Sequence, residues 1–341
     1  MGDILHALPA VTALRQAHPA WTIDWVVEPR WSALLAAEGS TGRANGRNAA
    51  QPLVDTLHFA ATKAWRKAPF SAQTRHEIKA LRQTLSDGQY DVVIDLQGAI
   101  RSAVVARMAG CHRVIGEAEP RERVARWLFS DRVTTTGAHV IEQDVELASA
   151  IAGDELTPVQ PWLPVDAAAE AWADDKLPQR SACAVLMNPG AGWGAKCWPV
   201  ERYAAVAQRL IDRGCRVMVN AGPGEEPLAD AIGHQTEGLA TPVSCTLAEL
   251  IALTRRARVV IAGDTGPLHL ACALGRPVVG IYGPTDPSRN GPFGTSFRVL
   301  RSPESRRDHT RHAEPEAGLL TIQPEEVVQA ALDILDTERD R

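Results

Sequence analysis

Ile261-Ala262-Gly263-Asp264-Thr265-Gly266-Pro267-Leu268-His269 is the stretch from which the chain is best read. The apolar run Val259–Ala262 reads as a buried strand, Asp264-Thr265-Gly266 as a turn, and Pro267 as the first turn of a helix. Such a strand-to-helix junction leaves backbone N–H groups unpaired at the positive end of the helix, so it can hold an anion, most commonly phosphate, without a basic side chain. Gly266 lets a ligand approach the backbone. The next strand, Pro277–Tyr282, ends in Gly283-Pro284-Thr285-Asp286-Pro287, so two loops converge on one sheet edge, where open α/β sheets bind ligands. The plainer alternative is that Asp264-Thr265 only caps a helix.

Working outward, two more loops follow strands in this half: Pro189–Lys196 after Ala182–Met187, and Gly222–Glu226 after Arg216–Asn220. Together the three loops describe a nucleotide site. Gly190 and Ala191 expose backbone amides, Lys196 supplies a point charge for a diphosphate, and a carboxylate at Glu225 or Glu226 suits the two hydroxyls of a ribose. Taken singly, Lys196 also reads as a solvated lysine. The chain has no GxxxxGK[ST], no full GxGxxG and no Asp-X-Asp triplet, which argues against an NTPase, a dinucleotide dehydrogenase and a metal-held diphosphate. His309 and His312 have metal-like spacing, but their Pro/Arg/Glu-rich surroundings read as a solvated loop.

The first half alternates in the same way. Asp3–Ala17 reads as an amphipathic helix capped by Gly2-Asp3, followed by strand Thr22–Val27; because such a helix normally follows a strand, a first strand is expected to be missing upstream. A helix at Arg30–Ala37, a mobile polar loop at 39–51, strand Val54–Phe59, a helix at Ser71–Ser86, strand Tyr90–Asp95 and a helix opening at Gln97–Ser102 come next. His112–Gly116, a helical Arg121–Phe129 and a helix at His139–Ala152 complete a doubly wound domain. Asp3, at a helix start, is a candidate general base, or no more than a cap. Trp65-Arg66-Lys67 offers an aromatic face and two cations to an anionic carbohydrate, or is an exposed loop with a partly buried Trp.

With 341 residues, 45% of them hydrophobic, the chain suits two domains: an N-terminal one over 1–152, a proline-bearing connection over 153–180 and a C-terminal one over 181–341. The net charge of -5 argues against nucleic acid as a partner. Six cysteines without short ligand spacing read as reduced core residues of a cytoplasmic protein. Neither a signal peptide nor a transmembrane segment is expected.

Met1–Ala10, Asp95–Ser102, Pro189-Gly190-Ala191 with Lys196–Pro199, Asp264–His269 and Tyr282–Pro287 together resemble the lipopolysaccharide heptosyltransferases of glycosyltransferase family 9, nearest their heptosyltransferase I branch. The resemblance implies a GT-B fold: two Rossmann-like doubly wound domains facing a cleft, the second holding the nucleotide sugar and the first the acceptor. It implies metal-independent, inverting transfer of heptose from ADP-heptose to the Kdo region of the inner core, with no cofactor. Asp3 would be the base and Lys196 would bind the diphosphate. Asp264, Thr265, Gly266 and His269 would hold donor phosphate and sugar, and Glu225 or Glu226 the ribose. Trp65, Arg66, Lys67, Gln97 and Arg121 would face the acceptor. A monomer is implied, meeting a lipid-linked Kdo acceptor at the cytoplasmic face of the inner membrane. Competing readings are a family relative with another donor or acceptor, and a nucleotide-sugar-binding protein without turnover.

Overall fold

The computed structural model describes residues 1–40, 46–177, 183–305 and 313–339. The His309 and His312 pair, residues 41–45 of the polar loop and 306–312 of the late charged stretch lie outside them. The chain divides into two compact units, Asp3–Val165 and Asp166–Arg341.

The first unit runs α1 (Gly2–Ala17), β1 (Asp24–Val27), β2 (Thr56–Phe59), α2 (Thr62–Lys67), α3 (Ala72–Asp87), β3 (Val93–Asp95), α4 (Ile100–Met108), β4 (Val114–Glu117), β5 (Asp131–Val133) and α5 (Val140–Ala152). Every strand pair is parallel, in two sheets ordered β1-β2 and β3-β4-β5. Side chains tie the two together: the Tyr90 hydroxyl, just before β3, donates to Asp24 on β1 at 2.8 Å and lies 2.9 Å from His58 Nε2 on β2.

Several expectations are corrected here. Residues 5–15 of α1 are all buried, so the helix is enclosed by its unit instead of amphipathic, and its cap is Met1, which leaves Asp3 in the first turn. Pro29–Leu34 and Arg123–Leu128 are 3₁₀ turns, the short form common in connecting segments, and not the expected helices. The described part of the polar loop is held down, because Gln51 is buried and donates to Val54 and Asp55 carbonyls while Arg47 pairs with Asp55. Trp65-Arg66-Lys67 belongs to helix α2, and Trp65 packs into a cluster with Leu81, Leu85 and Val105 while its indole N–H donates to Glu77 at 2.7 Å. Burial of this indole removes apolar surface that an exposed loop would leave in water.

The second unit runs α6 (Ala167–Lys176), β6 (Ala184–Asn188), α7 (Val200–Asp212), β7 (Arg216–Asn220), α8 (Glu226–Gln235), β8 (Thr241–Val243), α9 (Leu247–Arg256), β9 (Val259–Gly263), α10 (Gly266–Ala273), β10 (Val278–Tyr282), α11 (Pro287–Asn290), β11 (Phe297–Arg301) and α12 (Pro324–Arg339). One six-stranded parallel sheet has the order β11-β10-β9-β6-β7-β8. Its central strands β6, β9 and β10 are buried at every residue, as parallel strands covered on both faces must be. Alternate residues Val185, Met187, Val217, Ile261 and Ile281 pack with Tyr203 and Leu210 of α7 and Val327 and Ile334 of α12. α10 covers β9 and β10, and α6 is fixed to α9 by Glu170, which pairs with both Arg255 and Arg256.

The cysteine expectation fails at one pair: Cys183 and Cys215 form a disulfide, with Cα atoms 4.6 Å apart. The β6–β7 register opposes Ala184 to Arg216, which brings the residue before each strand face to face.

Candidate functional site

In the second unit the strand order reverses at β6 and β9, and the loops leaving their carboxyl ends diverge around a switch point, the usual ligand position in an open parallel sheet. From β6 comes Pro189–Lys196 and from β9 comes Asp264-Thr265. The two loops meet. Lys196 Nζ forms a short ion pair with Asp264 Oδ2 and lies 4.4 Å from the centre of the Trp193 ring. His269, on α10, places Nε2 3.3 Å from Asp264 Oδ1. Burial would raise the Asp264 carboxyl, but the His269 hydrogen bond and the Lys196 charge outweigh it and hold Asp264 well below the usual carboxylate range.

Thr265 settles the cap question locally. Its hydroxyl donates to the Gly263 carbonyl at 3.2 Å, and no side chain caps the first turn of α10. The amide groups of that turn, starting at Gly266, therefore remain the partially positive end of a helix beside Lys196 and His269.

Glu225 and Glu226 separate clearly. Glu225 is half-buried with Oε2 accepting from the Gly222 amide at 3.2 Å, whereas Glu226 is exposed at the start of α8. Gly190 lies against that carboxylate: a Cβ there would stand 1.9 Å from Glu225 Oε2, so a larger residue would push the Glu225 side chain out of its present position. Ala191, next in the loop, is partly exposed.

Residues that sequence reasoning missed join this edge. Asn188 ends β6 and accepts from Asn220, which ends β7, at 2.8 Å; Asn220 in turn accepts from the Cys245 thiol at 3.2 Å. Asn188 Nδ2 is buried with no hydrogen-bond partner among the described residues. The signal was available, because each amide terminates an apolar strand at its carboxyl end.

In the first unit Asp3 Oδ2 accepts from Gln97 Nε2 at 2.6 Å and lies 3.7 Å from Arg121 Nη1. Gln97 is positioned by Asp95, whose Oδ1 accepts the Gln97 and Gly98 amides at 2.8 and 3.0 Å while Oδ2 accepts from Ser102. Gly98 has φ +62, and its open face lets the Arg121 backbone approach. Gln97 and Arg121 are thus brought to Asp3. Arg66 and Lys67 are not; they stand exposed in the last turn of α2. A further unforeseen residue is Asp144 on α5, 3% exposed with Oδ2 unpartnered among the described residues. Burial first, then the charges of Glu117, Asp3 and Asp95, push its carboxyl well above the usual range.

Residues 78–319 match the family described as Glycosyltransferase family 9 (heptosyltransferase). The chain belongs to glycosyltransferase family 9. Lipopolysaccharide heptosyltransferase 1 of Escherichia coli K12 is 31% identical over 308 residues, covering 89% of this chain and 91% of that protein. The Pseudomonas aeruginosa protein of the same name is 29% identical, covering 87% and 79%. Among solved structures, the E. coli heptosyltransferase WaaC with ADP superposes with a TM-score of 0.78 at 28% identity, covering 98% of this chain and 97% of that one. This family 9 glycosyltransferase therefore has the GT-B architecture of its relatives, built from parallel α/β units.

Proposed function

We propose that the protein transfers heptose from ADP-heptose to the Kdo region of the lipopolysaccharide inner core, with inversion and without a metal. The observation that carries this reading is the meeting of Lys196 with Asp264 and His269 at the switch point of the second unit's sheet, in a chain that resembles heptosyltransferase 1 over most of its length. A structure of WaaC has been solved with ADP-2-deoxy-2-fluoro heptose, a donor analogue, and the chain resembles it at a TM-score of 0.74.

The chemistry follows from the residues. The acceptor hydroxyl gives its proton to Asp3, its oxygen bonds to the anomeric carbon, and the bond from that carbon to the diphosphate breaks, releasing ADP. Lys196, His269 and the first-turn amides of α10 neutralise the leaving charge. Asp264, itself negative, serves by fixing Lys196 and His269 instead of touching phosphate. Glu225 takes the ribose hydroxyls. Gln97 and Arg121 orient the acid-rich acceptor beside Asp3, and Arg66 and Lys67 form an outlying basic contact with it. No helix among the described residues is long and apolar enough to cross a membrane, and we place the enzyme on the cytoplasmic side, where it meets a lipid-linked acceptor.

A donor panel with Kdo-bearing lipid A, read by mass spectrometry, tests the reading. A mass increase of one heptose with ADP-heptose is expected, and equal or greater transfer from another nucleotide sugar would overturn the donor assignment.

A further inference from the structure

Beside Arg121 the first unit presents a face that neither its core nor the reaction uses. α4 and the 3₁₀ turn Arg123–Leu128 pack together through buried Ala103, Ala106, Ala125 and Phe129. That contact satisfies their inner sides. Their outer sides are nevertheless apolar: Ile100 is 40% and Val104 43% exposed, one helical turn apart, while Val124 is 60% and Trp127 68% exposed on the turn. Exposed Arg107 continues the stripe of α4, three residues beyond Val104. The guanidinium groups of Arg126 and Arg132 lie 5.0 and 5.2 Å from the Trp127 ring centre.

Charge decides what such a face fits. Between Ile100 and Arg132 the chain carries seven arginines and four acidic residues, although its net charge is -5. An anionic surface repels the chain as a whole and attracts this segment. An indole flanked by guanidiniums suits the headgroup layer of a bilayer, where the ring lies at the water boundary and arginines meet lipid phosphates, while Ile100, Val104 and Val124 reach the acyl boundary. We propose that this face docks the enzyme on an anionic lipid bilayer. The proposal rests on the reading of a lipid-linked acceptor, which such docking would present beside Arg121 and Asp3.

The full chain is sedimented with vesicles of phosphatidylcholine alone or mixed with phosphatidylglycerol, and its dispersity is followed by gel filtration. Binding to the mixed vesicles, falling as salt rises, is expected. Trp127→Ala with Val124→Ser should reduce vesicle partitioning at least tenfold, and Arg123→Gln and Arg132→Gln roughly fivefold each. Circular dichroism checks folding, and Trp127→Ala alone, at an exposed position, serves if the double variant unfolds. Transfer to a water-soluble Kdo acceptor should be unchanged in these variants. Vesicle binding that disappears with the substitutions supports docking even if no heptose transfer is detected, so the two readings fail separately. Binding that survives the substitutions, equal binding to neutral vesicles, or a dimer that the same substitutions dissociate without any vesicle binding would overturn the proposal.

Discussion

Asp264 and Asp3 each face a cation, but in opposite surroundings. The Asp264 side chain is 13% exposed and gripped by Lys196 and His269, whereas that of Asp3 is 48% exposed, with the 63% exposed Arg121 at 3.7 Å. An ion pair near 4 Å is worth about 1 kcal/mol in water and about 4 kcal/mol in a partly screened protein site. The first carboxylate is therefore a fixed charge that sets its neighbours in place and takes no proton near neutral pH. The second accepts from Gln97 at 2.6 Å yet keeps an exposed side chain, and in the proposed transfer it is the carboxylate that takes the acceptor proton. In the proposed transfer, environment sorts two acids of the same chemistry into a scaffold and a reagent.

Asp3→Asn should break the comparison most severely. It keeps the Gln97 contact and removes the base, so turnover should fall by about 10²–10⁴-fold with the melting temperature little changed. A variant with parent turnover would make Asp3 structural. Lys196→Ala comes next: losing one electrostatic stabiliser of the leaving group should lower kcat by about 10²-fold, and an unchanged kcat would remove Lys196 from the reaction.

The remaining two predictions sharpen the contrast through pH. Because the folded-state carboxyl of Asp264 is depressed, its stabilisation is present above the ordinary Asp range, near pH 4, and is lost as pH falls towards the folded value. Asp264→Asn should therefore lower stability at pH 7 by about 3 kcal/mol, and its stability should decline less on acidification than that of the parent. Parallel acid curves in chemical denaturation would contradict this. Asp144 has the opposite sign: its raised carboxyl destabilises the fold as pH rises above the ordinary Asp range. Asp144→Asn should raise the melting temperature at pH 7, by roughly 2–4 °C for each kcal/mol relieved, and leave it unchanged near pH 4. A melting temperature that drops at pH 7 would show that Asp144 is ionised and paired.

Much of the fold was readable because long apolar runs such as Val259–Ile261 and Val278–Tyr282 become fully buried parallel strands. Edge strands β5, β8 and β11 escaped notice, since three to five partly polar residues carry no clear period. The Cys183–Cys215 bond depends on the register of two strands 32 residues apart, which spacing alone does not reveal. Lys196 and Asp264 were legible as residues that follow strands onto one edge. Their ion pair was not, because it needs the switch point between β6 and β9. Asp144 could have been found: it shares the buried face of α5 with Ile141, Val145 and Ala148, where an acid is out of place.

Titration of ADP into the Asp3→Asn and Lys196→Ala variants tests the division of labour most directly. The account predicts that Asp3→Asn binds ADP as the parent does, while Lys196→Ala binds it on the order of tenfold or more weakly, as expected for loss of a charge-assisted contact. The reverse pattern, with ADP affinity lost in Asp3→Asn and kept in Lys196→Ala, would contradict it.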